Sequence, residues 1–176
     1  MRWLTEFLPS LLLLFLPIVA ANQAGMVAQW QKLPGAFRPI SKHWLGKNKT
    51  WAPYYMAPLI ALAILIVITL RIPHTVQSVF DLRTGKDLLL VGMSLGMGAV
   101  LGDHIKSFIK RRLGYPSGLA WMPDRFDFAL GGGVAAWLVI PRVGWMDILG
   151  LVVLALPVHY VGNYVGYQLG WRQTPH

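Results

Sequence analysis

Five apolar stretches dominate this sequence, and each has nearly the length that a helix needs to cross a lipid bilayer. They are residues Leu4–Ala21, Tyr54–Leu70, Leu88–Leu101 with an extension towards Phe108, Phe126–Ile140 and Trp145–Leu169. A transmembrane helix needs about 20 predominantly apolar residues. We therefore expect an all-α polytopic membrane protein, a bundle of about five transmembrane helices, in which residues 1–176 form a single domain. The fourth stretch is short and begins among charges, so we expect it to be tilted or only partly spanning.

The composition agrees with a membrane protein and excludes several other classes. Hydrophobic residues make up 55% of the chain and charged residues only 13%, and the mean hydropathy is +0.50. The chain has no cysteine, which excludes disulfides, thiolate metal sites and cysteine nucleophiles. Few residues remain outside the apolar stretches to build a groove-reading module, so we expect no nucleic-acid partner.

The first apolar stretch has two interpretations. Arg2, the apolar residues Leu11–Leu16 and the small residue Ala21 fit a signal peptide with a cleavage site. Several further hydrophobic segments follow, which favours an uncleaved first helix.

Basic residues lie mostly on one side of the predicted bundle. Eleven of the 16 Lys and Arg residues fall on that side: Lys32, Arg38, Lys42, Lys47, Lys49, Lys106, Lys110, Arg111, Arg112, Arg125 and Arg172. The positive-inside rule places this side in the cytoplasm. We expect a multi-pass protein of the cell membrane with its N-terminus outside, its C-terminus inside and its charged segments facing the cytoplasm.

A charged segment ends the third apolar stretch. On a helix, Asp103, Lys106, Ser107 and Lys110 share one face, and Arg111 lies one turn beyond Ser107. A membrane helix often ends in basic residues at the lipid–water interface, and this explains the cations at the end of the segment. It accounts less well for Asp103, because a charge beside a long apolar run is costly and usually marks a functional site.

Two more carboxylates, Asp124 and Asp127, open the fourth apolar stretch. They could cap a helix N-terminus, and the same carboxylates could also offer oxygen atoms to Mg²⁺. Together with Asp103 and the neighbouring cations, they suggest phosphoryl or nucleotidyl chemistry at a membrane surface.

The segment 46–51, Gly-Lys-Asn-Lys-Thr-Trp, closes the first basic loop. It is not a P-loop, because Asn48 stands where Ser or Thr should follow the lysine. One interpretation is an interfacial patch anchored by Trp44 and Trp51. The other is a loop that binds phosphates or a base.

Glycines recur at four-residue spacing, as in the pairs Gly92/Gly96 and Gly98/Gly102. Small residues at this spacing let helices approach closely in lipid. Close packing within one bundle is the favoured interpretation, and a homodimer face is the alternative.

These motifs together resemble the CDP-archaeol synthase family. The resemblance rests on Leu16-Pro17, Ala21-Asn22, the segment 46–51, the segment 102–114 with its Gly-Asp, Ser-Phe and Lys-Arg-Arg elements, and Asp124, Asp127 and Phe128. Family members are small integral membrane cytidylyltransferases of about five helices, related to the phosphatidate cytidylyltransferases. In their reaction a lipid phosphate attacks the α-phosphorus of CTP, and pyrophosphate leaves.

The resemblance implies a role for each motif. Asp103, Asp124 and Asp127 would be Mg²⁺ ligands and, with Lys106, the catalytic residues. The remaining site residues would hold the phosphates or close over CTP: Ser107, Lys110, Arg111, Arg125, Lys47, Asn48, Lys49 and Thr50. A monovalent cation such as K⁺ beside Mg²⁺ is implied by similarity to the phosphatidate enzymes. The second and third apolar stretches are expected to line a groove for the lipid chains.

The chain departs from the family pattern at two places. Ala52 stands where family members often have Arg, and Asp124-Arg125-Phe126-Asp127 looks more like the phosphatidate branch. The expected acceptor is archaetidic acid, 2,3-bis-O-geranylgeranyl-glycerol 1-phosphate, and the alternative is phosphatidate, which would give CDP-diacylglycerol.

Two other functions are alternatives to this one. A CDP-alcohol phosphotransferase is disfavoured, because Phe128 breaks the motif of that family. A non-enzymatic scaffold or small transporter is the further alternative. A transporter more naturally has helices broken near the midplane and an internal repeat, whereas the charges here collect at one end.

Overall fold

The computed structural model describes residues 2–82, 84–116, 119 and 121–168, and these form an all-helical bundle. The elements are α1 (Arg2–Asn22), α2 (Ala24–Trp30), α3 (Pro53–Arg71), α4 (Pro73–Phe80), α5 (Gly85–Arg112), a 3₁₀ helix (Met122–Arg125), α6 (Asp127–Val139) and α7 (Trp145–Gln168). The predicted fold class is confirmed. All five apolar stretches are helical over nearly all of their described residues; Leu169, the predicted end of the fifth, lies outside the described residues.

Three helical stretches are long and apolar enough to cross a membrane: Phe7–Trp30, Pro53–Arg71 and Gly85–Arg112. Two shorter apolar helices, Asp127–Val139 and Trp145–Val161, complete the set. With 13 residues, α6 is about 20 Å long, less than the roughly 30 Å of a hydrocarbon core. The fourth helix is thus as short as the sequence indicated.

Two short helices were not predicted. Helix α2 follows α1 after a single residue, Gln23, and extends the first apolar stretch into the basic loop. Helix α4 begins at Pro73, one residue after α3 ends. The proline stands at its first position, where the missing N–H costs nothing.

Glycines bring α5 into close contact with α3 and α6. A Cβ atom at Gly96 would lie 2.4 Å from the Ala57 carbonyl oxygen of α3. A Cβ atom at Gly102 would lie 2.3 Å from the Asp127 carbonyl oxygen of α6 and 3.0 Å from the Cα atom of Gly131. The four-residue glycine spacing therefore serves packing inside the bundle, and it sets the start of α6 directly against the charged end of α5.

Helix α1 packs in the core of the bundle. Leu14 and Ile18 are almost completely buried, and Ile18 fills the space beside Gly132 of α6. A cleaved first segment would remove this part of the core, so the packing is that of an integral first helix.

Candidate active site at one end of the bundle

Six charged side chains from three separate segments meet where α5 ends. Helix α5 supplies Asp103, Lys106 and Lys110, the start of α6 and the preceding 3₁₀ helix supply Asp127 and Asp124, and the loop before α3 supplies Lys49. We call these six residues the charge cluster. The sequence predicted all of them as site residues, and the fold brings them together.

Lys106 lies at the centre of the charge cluster. Its Nζ atom is 2.6 Å from Asp124 Oδ1, 2.7 Å from Asp127 Oδ2 and 3.3 Å from Asp103 Oδ1. Its side chain is only 12% exposed, so these ion pairs are only weakly screened by water. One ammonium group thus holds all three predicted metal-binding carboxylates.

Asp124 is fixed from three directions. It accepts hydrogen bonds from Lys106 Nζ, from Lys110 Nζ at 2.8 Å and from the backbone N–H of Trp121 at 2.8 Å. Partial burial alone would raise its pKa, but the two ammonium groups outweigh that effect and hold the pKa below its ordinary value. Both expected roles therefore coexist here, since Asp124 caps the 3₁₀ helix and belongs to the charge cluster. Lys110 also donates to the Leu119 carbonyl oxygen.

Asp127 is the most buried of the three carboxylates, with 6% of its side chain exposed. Its Oδ1 atom accepts from the backbone N–H of Phe128 at 2.6 Å. Its Oδ2 atom has no hydrogen bond of good geometry among the described residues, although the Lys106 ammonium lies 2.7 Å away. The contact of Oδ2 with the Lys106 ammonium is therefore an ion pair without hydrogen-bond alignment.

The loop that carries Lys49 is pinned to α5 by aromatic packing. The ring of Trp44 stacks on Phe108 with centroids 5.6 Å apart, and the Arg112 guanidinium lies 4.3 Å from the centre of the Trp44 ring. The backbone N–H of Ile40 donates to the Lys49 carbonyl oxygen at 2.9 Å. Trp44 thus holds the loop against α5, and Lys49 Nζ lies 2.6 Å from Asp103 Oδ1.

A polar cavity of about 330 Å³ opens on one side of the charge cluster. The loop residues Asn48, Lys49 and Thr50 line it together with Asp103 and other residues of α1, α2 and α5. The predicted nucleotide loop and the first predicted metal ligand therefore face the same space.

An apolar groove of about 470 Å³ lies on the other side, between α5 and α6. Its walls are mostly apolar side chains, among them Ile105, Leu130 and Val134. Lys106 and Asp127 lie at its charged end. The expectation that the second and third apolar stretches line such a groove is wrong in part: α5 does so, but its partner is α6, because the glycine contacts already fill the space between α3 and α5 at Gly92 and Gly96.

His104 was missed by the sequence analysis. It lines the polar cavity beside Asp103, and its ring packs on Tyr54 with centroids 5.1 Å apart. Its Nδ1 atom lies 2.6 Å from the Val100 carbonyl oxygen, so Nδ1 carries a proton and donates to that carbonyl. Nε2 has no partner in the part of the chain that the structure describes.

Four predicted site residues lie outside this arrangement. Lys47 and Arg125 are exposed. The Ser107 hydroxyl is buried and donates to the Asp103 carbonyl oxygen at 2.8 Å, which uses it within α5. Arg111 donates to the Pro116 carbonyl oxygen at 3.1 Å. The helical face predicted from spacing is thus divided, because Lys106 and Lys110 reach towards Asp124 while Ser107 turns into the helix.

The three carboxylates are the ligands that a divalent metal prefers, but the distances at their centre are those of an ammonium group and not of a metal ion. Mg²⁺ binds oxygen atoms at about 2.0–2.1 Å, whereas the carboxylates here surround an ammonium nitrogen at 2.6–3.3 Å. Within the described ranges, no group of three or more acidic, histidine or cysteine side chains has metal-binding geometry. The chemistry of the donor set fits Mg²⁺, because three carboxylates converge on one position, which the Lys106 ammonium takes in this structure.

The fold and the charge cluster define a class, a polytopic helical membrane protein with a charged site between a polar cavity and an apolar groove. The family profile described as "CarS-like: CDP-archaeol synthase" matches residues 5–176. The chain belongs to the CDP-archaeol synthase family.

Similar proteins agree with that assignment. A CDP-archaeol synthase of Haloarcula marismortui is 32% identical over 91% of this chain and 92% of its own length. One of Methanopyrus kandleri is 38% identical, but that match covers 48% of this chain and about half, 50%, of the relative. A solved structure described as an intramembrane enzyme for archaeal membrane lipids biosynthesis has the same fold, with a TM-score of 0.68 and 23% identity over 86% of this chain and 90% of that one.

Proposed function

We propose that this chain is a CTP-dependent cytidylyltransferase that converts a membrane lipid phosphate to its CDP-activated form and releases pyrophosphate. Family membership supports the reaction class. One structural observation supports its placement: the charge cluster separates a polar cavity from an apolar groove, and it contributes residues to both. A water-soluble nucleotide in the cavity would therefore meet Asp103, and a lipid in the groove would meet Asp127, which pairs with the same Lys106 ammonium.

The polar cavity is the proposed site for CTP. Lys49 lies there beside Asp103, where its ammonium group can neutralise a triphosphate oxygen. Asn48 and Thr50 line the same cavity and offer an amide and a hydroxyl to the nucleotide. The predicted roles of Lys47 and Arg125 would need both exposed side chains to turn towards the bound nucleotide.

The apolar groove is the proposed site for the lipid chains. Lys106 at its charged end is placed to meet the lipid phosphate, while Ile105, Leu130 and Val134 contact the chains. The attacking phosphate oxygen is already anionic, so the reaction needs no strong general base. The task of the site is to bring two anions into line, and positive charge supplies the required neutralisation.

Asp103, Asp124 and Asp127 would hold Mg²⁺. When bound, this ion would neutralise the phosphates and help to align the displacement. Lys110 fixes Asp124 from the side away from Lys106 and so orients one of these ligands. The expected K⁺ beside Mg²⁺ remains a prediction.

We place the charge cluster at the cytoplasmic face of the cell membrane, with the N-terminus outside. The excess of Lys and Arg on that side supports this orientation, and CTP would arrive there from the cytosol. A homodimer remains a prediction. The glycine pairs of α5 pack against α3 and α6 within the bundle, so they do not support a dimer face.

Archaetidic acid is the proposed acceptor, because the relatives are CDP-archaeol synthases. The test supplies purified protein in detergent with radiolabelled CTP, Mg²⁺ and equal micellar concentrations of archaetidic acid or phosphatidate. Faster formation of CDP-lipid from archaetidic acid is expected. Turnover of phosphatidate alone would refute the acceptor but keep the reaction, and product from neither lipid would refute both.

A further inference from the structure

We propose that Lys106 is a resident counter-cation of the three carboxylates, and that a divalent metal displaces it before the reaction. This inference rests on the proposed function, since it concerns the same three metal ligands. It implies that the Lys106 ammonium has a second position, different from the one seen in this structure.

The first argument is the shared contact. Lys49 contacts Asp103 and Lys110 contacts Asp124, but the Lys106 ammonium contacts these two carboxylates and Asp127 as well. Three carboxylates in a largely buried site repel one another unless a cation compensates them. Among the described side chains, the one that pairs with all three is Lys106.

The second argument is that the two cations exclude each other. The ammonium nitrogen lies 2.6–3.3 Å from an oxygen of each carboxylate, which is the position that a shared metal ion would take. An ion that requires oxygen atoms at about 2.0–2.1 Å cannot bind these oxygens while that nitrogen stays between them. Like charges at such a separation are strongly unfavourable.

The third argument is that Lys106 has a place to go. It lies at the charged end of the apolar groove, and its flexible four-carbon stem lets the ammonium move while the backbone stays in α5. A displaced ammonium would therefore meet the phosphate of a lipid whose chains occupy the groove. Metal entry and recognition of the lipid phosphate would then be coupled through one side chain.

The test measures metal binding rather than turnover. Wild-type protein and Lys106→Met are purified in detergent, freed of metal with chelator and titrated with Mg²⁺ in a calorimeter, without CTP or lipid. Methionine keeps an unbranched stem but removes the charge. Lys86→Met is the matched control, because it removes one exposed charge from the other end of the same helix.

We expect Lys106→Met to bind Mg²⁺ at least about tenfold more tightly than wild type, because no cation has to leave. We also expect a lower Tm in chelator and a larger rise in Tm on adding Mg²⁺. Lys86→Met should match the wild type in all three measurements. If methionine prevents folding, Lys106→Gln gives the same comparison with a neutral polar side chain.

An unchanged or weaker Mg²⁺ affinity in the Lys106 variants would overturn the proposal while leaving the proposed function intact. No Mg²⁺ binding by any variant would overturn it together with the metal site. The wild-type transfer assay with CTP is run in parallel, and it shows separately whether the proposed reaction occurs.

Discussion

The Nζ atom of Lys49 lies 2.6 Å from Oδ1 of Asp103, although 54 positions separate the two residues. This contact joins the loop before α3 to the charged end of α5, and both residues line the polar cavity. Through this contact, the loop predicted to bind the nucleotide touches one of the predicted metal ligands.

Asp103→Asn should remove nearly all cytidylyl transfer and leave a folded, extractable protein, because it deletes a charge with little change in volume. The measurement is transfer from radiolabelled CTP at saturating Mg²⁺, with Tm as the check on folding. Asp124→Asn and Asp127→Asn should behave similarly. Asp81→Asn at the opposite end of the bundle is the control and should keep its activity. Wild-type turnover in Asp103→Asn would exclude this carboxylate as a metal ligand.

Gly102→Ala should destabilise the protein by about 1–3 kcal/mol, the usual cost of overpacking. The new Cβ atom would lie 2.3 Å from the Asp127 carbonyl oxygen, so α6 would have to move away from α5 and carry Asp127 with it. Activity should therefore fall together with the Tm in detergent. Gly85→Ala in the same helix meets no atom within 4 Å and should change neither; equal Tm values for the two variants would argue against the close contact.

Val134→Trp should fill part of the apolar groove and raise the KM for the lipid phosphate about tenfold or more, in line with the usual effect of one pocket contact. The KM for CTP should stay close to the wild-type value, because the polar cavity lies on the other side of the charge cluster. Val153→Trp on the exposed surface of α7 is the control. A rise in the KM for CTP alone would contradict the assignment of the two spaces.

Single cysteines test the orientation, since the chain has none of its own. Lys42→Cys lies in the exposed loop on the side of the charge cluster, and Lys86→Cys lies at the other end of α5. In intact cells, an impermeant maleimide should label position 86 and leave position 42 unlabelled until the membrane is opened. The reverse pattern would place the site away from cytosolic CTP.

The stabilising effect of Asp124 should depend on pH in acid. Its pKa lies below the ordinary value of 3.8 in the folded protein, so the folded state binds this proton less readily than the unfolded state does. Its contribution is therefore complete above about pH 4 and is lost as the pH falls through the lower folded value. The difference in Tm between wild type and Asp124→Asn should be constant from about pH 5 to 7 and shrink below about pH 4. A difference that already shrinks near neutral pH would contradict the lowered pKa.

The sequence alone determined the five apolar helices and most members of the charge cluster, but not the short helices α2 and α4. Hydropathy acts locally, because each apolar stretch must satisfy its own backbone groups in lipid whatever its neighbours do. That is why the boundaries of α3 were predicted to within one residue, whereas α5 begins and ends beyond its predicted apolar stretch. Charges at the end of an apolar stretch are costly, and for that reason Asp103, Asp124 and Asp127 stood out before any contact was known.

The tertiary structure decided which of these residues meet, and on which side. Helical spacing placed Ser107 beside Lys106, but the hydroxyl bonds to its own helix, whereas Lys106 reaches two carboxylates from another segment. The pairing of α5 with α6 depends on the close approach at Gly102, and this packing created the groove and buried Asp127. These contacts join residues 18 to 54 positions apart, so they depend on how the helices pack. The residue pattern along the chain does not show how far apart two helices lie in the bundle.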